Sequence, residues 1–562
     1  MDFRRTILWM IFGFSLVMLY DGYNRHLGKA SMFGGPAPTQ TAGTPGTPTR
    51  VADPLIPGDS PSTRPAASST APVPASTPAA AAASQRIGIR TDNAAIDFDT
   101  EGAQIVRLEL LEHRDQNDNK ANVVLLDNEP GKRVYLAQTG LAGEGVPNHR
   151  TPFVRVAGPT EMAADAATLD VAFEATTGTV KLRKIFTFTR GRYDIGVRHE
   201  IFNEGTAPIS PTLYLQLTRD SSAPAGESRF MSVYTGAAFY TDAKKFNKIS
   251  FSDIQKQKLD DLKGTFNDGW IAIIQHYFAS AWIPSGSNPR TFEASSSGDL
   301  NAIRVREPLD AIAPGASVTV NSILYVGPED TTTLAALAPG LELAVDYGHL
   351  TIIAKPLFWL LQWWHSVSGN WGWAVILLTI TIKAFFYPLS AASYKSMAKM
   401  RGVAPRLKKL QEQYKDDRQK LNLAMMELYK TEKINPVGGC LPMVIQIPVF
   451  IALYSTVLAT VEMRGAPWLG WIHDLTAPDP FFILPAIMIA TMFVQYKLNP
   501  TPPDPVQAKV FMFMPLIFGG MMVFFPSALV LYWVVNNTLS IAQQWQITRK
   551  IEGKPLFGKA AT

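Results

Sequence analysis

The last third of the chain most constrains the fold, because it carries five long apolar runs around one strongly basic stretch. Such runs are typical of helices that cross a lipid bilayer. An apolar run at residues 1–24 is preceded by Arg4 and Arg5. The sequence therefore predicts a polytopic α-helical membrane protein with six spans: an N-terminal one and a five-helix core with spans at 371–389, 441–461, 481–496, 510–524 and 528–547.

The N-terminal run resembles a signal peptide, but no small-residue cleavage site follows it directly. We interpret residues 1–24 as an uncleaved transmembrane anchor, with cleavage near Ala30 as the alternative. Residues 25–84 are rich in Pro, Ala, Ser and Thr. This composition buries too little apolar surface to offset the entropy of ordering, and it predicts a disordered linker.

The region 85–335 has a different pattern. Stretches such as "KLRKIFTFTR", "DIGVRHEIF" and "TLYLQL" alternate apolar and polar residues, as half-buried strands do. They predict a large all-β sandwich of antiparallel strands. After it, "KPLFWLLQWWHS" within residues 336–370 is typical of an amphipathic helix at a membrane interface.

The distribution of charge predicts the orientation. Between Ser390 and Cys440 the chain has eleven Lys and Arg residues against five acidic residues, whereas residues 462–480 contain one Arg. The tail at 549–562 is also basic. The positive-inside rule then places both termini and the 390–440 stretch in the cytoplasm, and the β domain outside, between the first and second spans.

The 390–440 stretch itself has helical apolar spacing, and Asp416-Asp417 is suited to a turn. We expect a helical hairpin whose basic surface includes Lys408, Lys409 and Arg418. Two readings of this surface remain open. It is either a solvated charged face or a contact for lipids or the ribosome.

Polar residues inside the apolar runs are the candidate site. Lys383 and Thr379 share one helix face, and Gln446, Gln495 and Asn536 lie in three other runs. Polar groups within a bilayer need partners or water, so together they predict a shared hydrated cavity. Two alternatives remain: Lys383 snorkels to the surface, or the amides only join helices. The last run extends this polar face with Ser540, Gln543 and Gln544.

Several functions are excluded or unsupported by the sequence. One cysteine, Cys440, rules out a disulfide framework within the chain, and a net charge of +5 does not suggest a DNA-binding protein. The sequence has no phosphate-binding loop, no HExxH and no GxSxG, and its eight His residues lack metal-ligand spacing. We therefore expect no cofactor, no metal and no catalytic residue.

Three stretches resemble the YidC-type membrane protein insertases. They are "NPVGGCLPMVIQIPVFIALY", "FPSALVLYWVVNN" and "YPLSAASYKSMAKM". In the β domain, "GWIAIIQHYFASAWIP" and "YVGP" resemble the long form found in Gram-negative bacteria.

This resemblance implies an insertase and chaperone that places newly made proteins into the inner membrane, alone or beside the Sec translocon. It also implies a β-supersandwich similar to sugar-mutarotase folds, and a hydrophilic groove open to the cytoplasm. Lys383 matches the groove's basic residue, which is more commonly arginine, and Trp533 stands where many relatives have tyrosine. The short, modestly basic tail weakens the case for a ribosome contact.

Two other classes of function remain as alternatives. A solute transporter would also line a site with intramembrane polar residues, but it favours inverted repeats, and we find no convincing internal repeat. A sugar epimerase tethered outside the membrane needs a paired general acid and base that the sequence does not place.

Overall fold

A computed structural model of the chain describes residues 84–115, 118, 120–129, 133–224, 234–414, 417–432, 441–499 and 505–551. They belong to two compact units that divide between Val345 and Asp346. The predicted anchor at 1–24, nearly all of the predicted linker at 25–84, Cys440 and most of the tail at 549–562 lie outside the described residues.

The described part of the first unit consists mainly of strands. It also has the short helices α1 (Phe251–Gln255) and α2 (Thr331–Leu337) and two 3-10 turns, Asp260–Leu262 and Leu341–Ala344. The strands are β1 (Arg86–Arg90), β2 (Ala94–Asp99), β3 (Gln104–Arg114), β4 (Asn122–Glu129), β5 (Arg133–Ala142), β6 (Val154–Arg155), β7 (Thr168–Thr177), β8 (Val180–Thr189), β9 (Asp194–Asn203), β10 (Thr212–Asp220), β11 (Gly236–Thr241), β12 (Lys245–Ile249), β13 (Thr265–Phe266), β14 (Trp270–Gln275), β15 (Phe278–Pro284), β16 (Arg290–Ser297), β17 (Leu300–Pro308) and β18 (Ser317–Pro328).

These strands form two sheets of nine strands each. One sheet has the order β1-β2-β3-β4-β5-β10-β17-β16-β13, and the other has the order β12-β11-β14-β15-β18-β9-β8-β7-β6. Neighbouring strands within both sheets are antiparallel. The predicted all-β sandwich is therefore confirmed.

The core between the sheets follows from the alternation seen in the sequence. On β7, every second side chain from Leu169 to Ala175 is buried. Phe173 on this strand contacts Phe98 with ring centroids 5.1 Å apart, and Phe98 contacts Phe186 of β8 at 4.8 Å. Each such fully buried aromatic side chain contributes about 1.5–3 kcal/mol relative to exposure. Polar atoms also cross between the sheets, since the Trp282 indole Nε1 donates to the Gln216 carbonyl at 3.0 Å.

Lys184 and His199 form a buried polar pair in this core. They face each other across β8 and β9, and both are inaccessible to solvent. The Lys184 ammonium donates to the carbonyl oxygens of Gly102 and Thr139, each at 2.6 Å, and lies 4.6 Å from the centre of the Phe153 ring. Burial lowers the pKa of Lys184 to about 7. Burial, together with the Lys184 charge, lowers the pKa of His199 to about 3.

The described part of the second unit is helical, which confirms the predicted helical C-terminal region. Two 3-10 turns, Gly348–Leu350 and Val461–Met463, accompany the helices. The helices are α3 (Thr351–Ser368), α4 (Trp371–Phe385), α5 (Tyr387–Gln413), α6 (Arg418–Thr431), α7 (Leu441–Ala459), α8 (Ile483–Leu498), α9 (Pro505–Met522) and α10 (Ser527–Ile551).

The first predicted core span, 371–389, contains a break. Helix α4 ends at Phe385, and α5 starts at Tyr387 after a bend of 67°. A continuous helix would need a donor from Pro388 to the Ala384 carbonyl, and proline has none. Within the part of the chain that the structure describes, no single helix has both the length and the apolar composition to cross a membrane, whereas the bent pair α4 and α5 together does.

Candidate functional site

Lys383 lies in the last turn of α4, close to the bend. The helix starts under the side chain of Asn370, whose Oδ1 accepts from the backbone N–H of Gly372 at 2.9 Å. This cap and the break at Phe386 set the two ends of α4. Within these bounds the half-buried Lys383 side chain lies on the side of α4 that packs against α10.

The Lys383 ammonium donates to the Ser540 hydroxyl at 2.7 Å. Ser540 is itself buried on α10, and its hydroxyl donates to the Asn536 carbonyl one turn earlier, also at 2.7 Å. Lysine carries three N–H donors. One of these donors bonds to Ser540. The partner of the charged amine in this contact is therefore a neutral hydroxyl and not a carboxylate.

A cavity adjoins Lys383. Its empty volume is about 390 Å³, which includes space open to the surroundings. Most of its wall comes from the end of α4, the start of α5 and the first half of α7, and the rest comes from α10. The lining residues are Ile382, Lys383, Phe386, Leu389, Ser390, Ile445, Gln446, Val449, Tyr532 and Asn536. The wall thus combines five apolar side chains with one cation and four neutral polar side chains.

The structure brings three of the predicted site residues together. Lys383, Gln446 and Asn536 line the same cavity, although they come from three different helices. The Gln446 amide Nε2 also lies 3.5 Å from the Tyr532 hydroxyl. Thr379 is different, because it is fully buried and its hydroxyl donates to the Val375 carbonyl of its own helix at 2.7 Å.

Gln495 and Trp533 do not line this cavity. Gln495 is half-buried near the end of α8. Trp533 packs in an aromatic cluster, with ring centroids 4.6 Å from Phe450 and 4.9 Å from Phe518. Trp533 therefore holds α10 against α7 and α9.

The polar face of α10 has two roles. Asn536 lines the cavity, and Ser540 accepts from Lys383, as described above. Farther along, the Gln543 amide donates to the Tyr387 carbonyl at 3.3 Å, and the Gln544 amide donates to the Leu498 carbonyl at 3.1 Å. These two amides join helices to each other, so the single hydrated stripe expected from spacing is divided.

Sequence reasoning missed two polar residues of the cavity wall. Tyr532 stands directly before Trp533, and Ser390 lies in the stretch "YPLSAASYKSMAKM". Both stretches had been identified by resemblance, which was the available signal. Periodicity alone does not distinguish a cavity-facing tyrosine from a core tyrosine.

The basic surface predicted at 390–440 is described in part. Helix α5 ends before Asp416, at Gln413, and α6 begins after it, at Arg418. Asp417 caps α6, because its carboxylate accepts from the Lys420 N–H at 3.0 Å. Lys409 is exposed, while the side chains of Lys408 and Arg418 lie outside what the structure describes. An ion pair of 2.6 Å joins Arg406 to Glu432.

Helix α3 has two distinct faces. Ala354, Phe358 and Leu361 are buried on one face. The opposite face exposes Ile352, Trp359, Trp363 and Val367 to solvent. Within the described residues, no group of three or more His, Cys, Asp or Glu side chains could hold a metal ion.

Comparison with known protein families defines the class of protein. Residues 86–360 match the family model of the YidC periplasmic domain, and residues 363–554 match that of the 60Kd inner membrane protein. The two matches divide the chain into a periplasmic domain and an inner-membrane domain, which is the organisation of a membrane insertase with a periplasmic domain.

Full-length relatives give the family itself. The "Membrane protein insertase YidC" of Bordetella parapertussis is 56% identical over 98% of this chain and 98% of its own length. Its namesake from Cupriavidus necator is 51% identical over 100% of this chain and 99% of its own length. The chain therefore belongs to the YidC family of inner-membrane insertases.

A solved structure of an active YidC insertase with its first transmembrane domain resolved is a more distant match. It is 19% identical, covers 81% of this chain and 91% of its own, and has a TM-score of 0.39. The family assignment does not depend on this match.

Proposed function

We propose that this protein inserts newly made proteins into the bacterial inner membrane and helps them fold. In this proposal the cavity beside Lys383 is part of a hydrophilic groove open to the cytoplasm. The protein acts alone or beside the Sec translocon, and no nucleotide is hydrolysed. The observation that supports it best is a lysine held by a neutral hydroxyl at the edge of a cavity, in a chain of the YidC family.

The proposed topology follows the charge pattern. Residues 1–24 anchor the N-terminus, residues 25–84 form a linker, and the β domain at 85–335 lies in the periplasm. The segment 336–370 lies at the interface, where the exposed Trp359 and Trp363 suit the headgroup region. Five core spans within 371–548 complete six spans, with the basic stretch 390–440 and the tail 549–562 in the cytoplasm.

The barrier to insertion is the passage of a polar or acidic segment across about 30 Å of hydrocarbon. A hydrated cavity that reaches part of the way shortens this path. Lys383 attracts an acidic segment there, because its amine is bonded to a hydroxyl, and none of the carboxylates that the structure describes lies within salt-bridge distance to neutralise it. As a lysine it acts through charge rather than through the planar two-point geometry of arginine.

The substrate's apolar helix then leaves toward lipid along α8 and α9. Exposed apolar side chains cover these helices, among them Ile487, Val494, Phe511, Met512, Phe513, Met514, Ile517 and Met521. Unbranched methionines adapt to different partners. Partitioning of the substrate supplies about 0.8 kcal/mol for each buried CH₂ group, so hydrolysis is not required. The membrane potential adds about 2.3 kcal/mol per charge per 100 mV when it draws an acidic group outward.

The test is insertion of a single-span substrate by the purified chain in vesicles without ATP. We expect Lys383→Ala and Lys383→Glu to lose insertion of a substrate with an acidic translocated tail, and Lys383→Arg to retain it. Lys395→Ala is the matched control, since Lys395 is exposed on α5. Normal insertion by both the Ala and Glu variants would show that the charge is dispensable.

Crosslinking gives a second test that does not depend on charge. A photo-crosslinker at Gln446 or Asn536, which line the cavity, should capture a stalled nascent chain. The same group at the buried Thr379 should capture less. Equal capture at all three positions would contradict a route through this cavity.

A further inference from the structure

The α7–α8 loop, residues 460–482, contains a small buried core of its own. Its side chains Met463, Ile472 and Leu475 are almost inaccessible to solvent. Its backbone folds back on itself, with Trp468 N–H donating to the Ile472 carbonyl at 3.0 Å and Leu475 N–H donating to the Ala466 carbonyl at 3.1 Å. Loops without a buried core of this kind are mostly mobile. The buried core and the backbone hydrogen bonds therefore hold this loop in one conformation.

The loop covers the N-terminus of α10. Both the backbone N–H and the hydroxyl of Ser527 donate to the Ala477 carbonyl at 2.8 Å. The next N–H, of Ala528, donates to the Leu475 carbonyl at 3.0 Å. The first N–H groups of a helix have no partner inside the helix. Here the loop supplies those partners.

The loop also covers the N-terminus of α4. The Asn370 amide donates to the Pro467 carbonyl at 2.9 Å, while its oxygen caps the helix. Gly372 leaves room for the Trp468 indole, because a Cβ at this position would lie 2.1 Å from Trp468 Cδ1. The close approach therefore depends on glycine in the first turn of α4.

Asp479 ties the loop to α8. Its carboxylate is 1% exposed. One oxygen accepts from the Trp471 indole at 2.9 Å and from the Phe481 N–H at 3.0 Å, and the other accepts from the Leu484 N–H at 2.7 Å. A carboxylate at a helix N-terminus is favoured by the helix dipole. A single buried charge thus joins the middle of the loop to the start of α8.

The loop and the Lys383 cavity lie at opposite ends of the helices. Lys383 is about 16 Å along α4 from Gly372, and Ser540 is about 20 Å along α10 from Ser527. The intervening layer is fully buried and mainly apolar. The buried hydroxyls of Thr379 and Thr456 within it donate to carbonyls of their own helices. Its apolar side chains are Ala374, Val375 and Leu378 of α4, Leu453 and Val457 of α7, and Leu529, Val530 and Leu531 of α10. The polar cavity therefore ends at a dry layer, and the loop lies beyond that layer.

We infer that Asp479 is a positioning residue that clamps this loop over the N-termini of α4, α8 and α10 and so keeps the helical core closed to ions. The inference rests on the proposed groove, because only a core with a hydrated cavity on one side needs such a closure. Without the clamp the three helix starts separate, water enters the dry layer, and a continuous polar path forms.

The experiment measures passive proton leak in vesicles of phosphatidylethanolamine and phosphatidylglycerol that contain the full chain and an enclosed pH-sensitive dye. We expect Asp479→Ala to raise the leak by about tenfold, because removing the partner of several buried donors shifts the closed state by at least that factor. Asp474→Ala is the matched control. Its carboxylate accepts only local bonds from Thr476 within the same loop, at 2.8 Å and 2.7 Å.

A folded Asp479→Ala protein with the wild-type leak would overturn the inference, as would an equal leak from Asp474→Ala. If Asp479→Ala does not fold, Trp471→Phe decides the matter. It removes one of the donors to the same carboxylate and keeps the cap on α8, so a smaller rise in leak is expected and no rise overturns the inference. Failure of the wild-type chain to insert a substrate would instead count against the proposed function alone.

Discussion

The two units bury one lysine each in very different ways. Lys184 in the β sandwich is fully buried, donates to two fixed backbone carbonyls and faces an aromatic ring. Lys383 in the helical unit is half-buried, donates to one side-chain hydroxyl and lines a cavity. Among the described residues neither has a carboxylate within salt-bridge distance.

This difference separates fixed from exchangeable contacts of the same side chain. Backbone carbonyls cannot rotate away, so the contacts of Lys184 are permanent and join the two sheets. A serine hydroxyl can rotate, and the cavity offers room for another acceptor. The amine of Lys383 is therefore positioned to exchange partners, and that of Lys184 is not.

The largest expected effect distinguishes the two lysines by stability. Lys184→Met should lower the free energy of unfolding of the β unit by about 3 kcal/mol, because two buried carbonyls lose their donor. Lys383→Met should cost the helical unit little, since an apolar side chain of similar volume replaces a buried charge. The full chain is unfolded in detergent with increasing denaturant, and proteolysis then reports the unfolded fraction of each unit. The two curves give the free energy of unfolding of the β unit and of the helical unit. Similar losses in the two units would remove the distinction.

A second prediction concerns pH. The pKa of Lys184 is about 7 in the folded chain, against 10.5 for an ordinary lysine. Between these values the unfolded state binds more protons, so the stability of the β unit should rise as the pH increases from about 7 to 10.5. The Lys184→Met variant should lack this rise. An identical pH profile for the two proteins would contradict the assigned pKa.

His199 should act in the acid range. Its pKa is about 3 in the folded chain, against 6.5 when unperturbed. The unfolded state again binds more protons within this window, so stability should fall as the pH decreases from 6.5 to about 3. Unfolding curves of the wild type and His199→Asn across this range measure it. A wild type as insensitive to acid as the variant would be inconsistent with a neutral buried histidine.

A smaller effect is expected for the hydroxyl that holds Lys383. Ser540→Ala should reduce insertion of an acidic-tailed substrate by about tenfold, since one hydrogen bond to a charged group, worth about 1.5 kcal/mol, is lost while the charge itself remains. Thr538→Ala is the control, because Thr538 is exposed on the same helix and bonds only to the Val534 carbonyl. A loss as severe as that of Lys383→Ala would mean that Ser540 does more than position the amine.

The smallest effect is expected at Thr379. Its hydroxyl bonds within its own helix. Thr379→Val should therefore change the free energy of unfolding by less than about 0.5 kcal/mol, and the rate of insertion by no more than the factor to which that free energy corresponds. Insertion assays and melting curves measured side by side test this. A clear loss of insertion with unchanged melting would place Thr379 in the substrate path after all.

The fold was predictable wherever local periodicity decides burial. Alternation in "KLRKIFTFTR" correctly indicated a strand, now β8, and apolar runs indicated the C-terminal helices. The same alternation turns Lys184 inward, but its partners Gly102 and Thr139 lie far away in the sequence. No local pattern reports such a pairing. The break at Phe386 was also missed, although Pro388 stands beside it in the sequence.

The candidate site shows the same limit. Charge and polarity within apolar runs pointed to Lys383, Gln446 and Asn536, which share a cavity. The same reasoning grouped Thr379 and Gln495 with them, and the family resemblance added Trp533, but these three residues do not line it. Helical spacing fixes which residues share a face, but not which neighbour that face meets.

By itself, the sequence determined the periodicity of the elements, the uneven placement of charge and the motifs of the YidC family, because each is a property of neighbouring residues. The tertiary structure alone decided which polar groups meet. The contact of Lys383 with Ser540, the carbonyl partners of Lys184 and the clamp at Asp479 depend on how elements distant in the chain, or separated by a turn, pack together. Packing is set by the summed burial of many side chains, and no short stretch of sequence contains that sum.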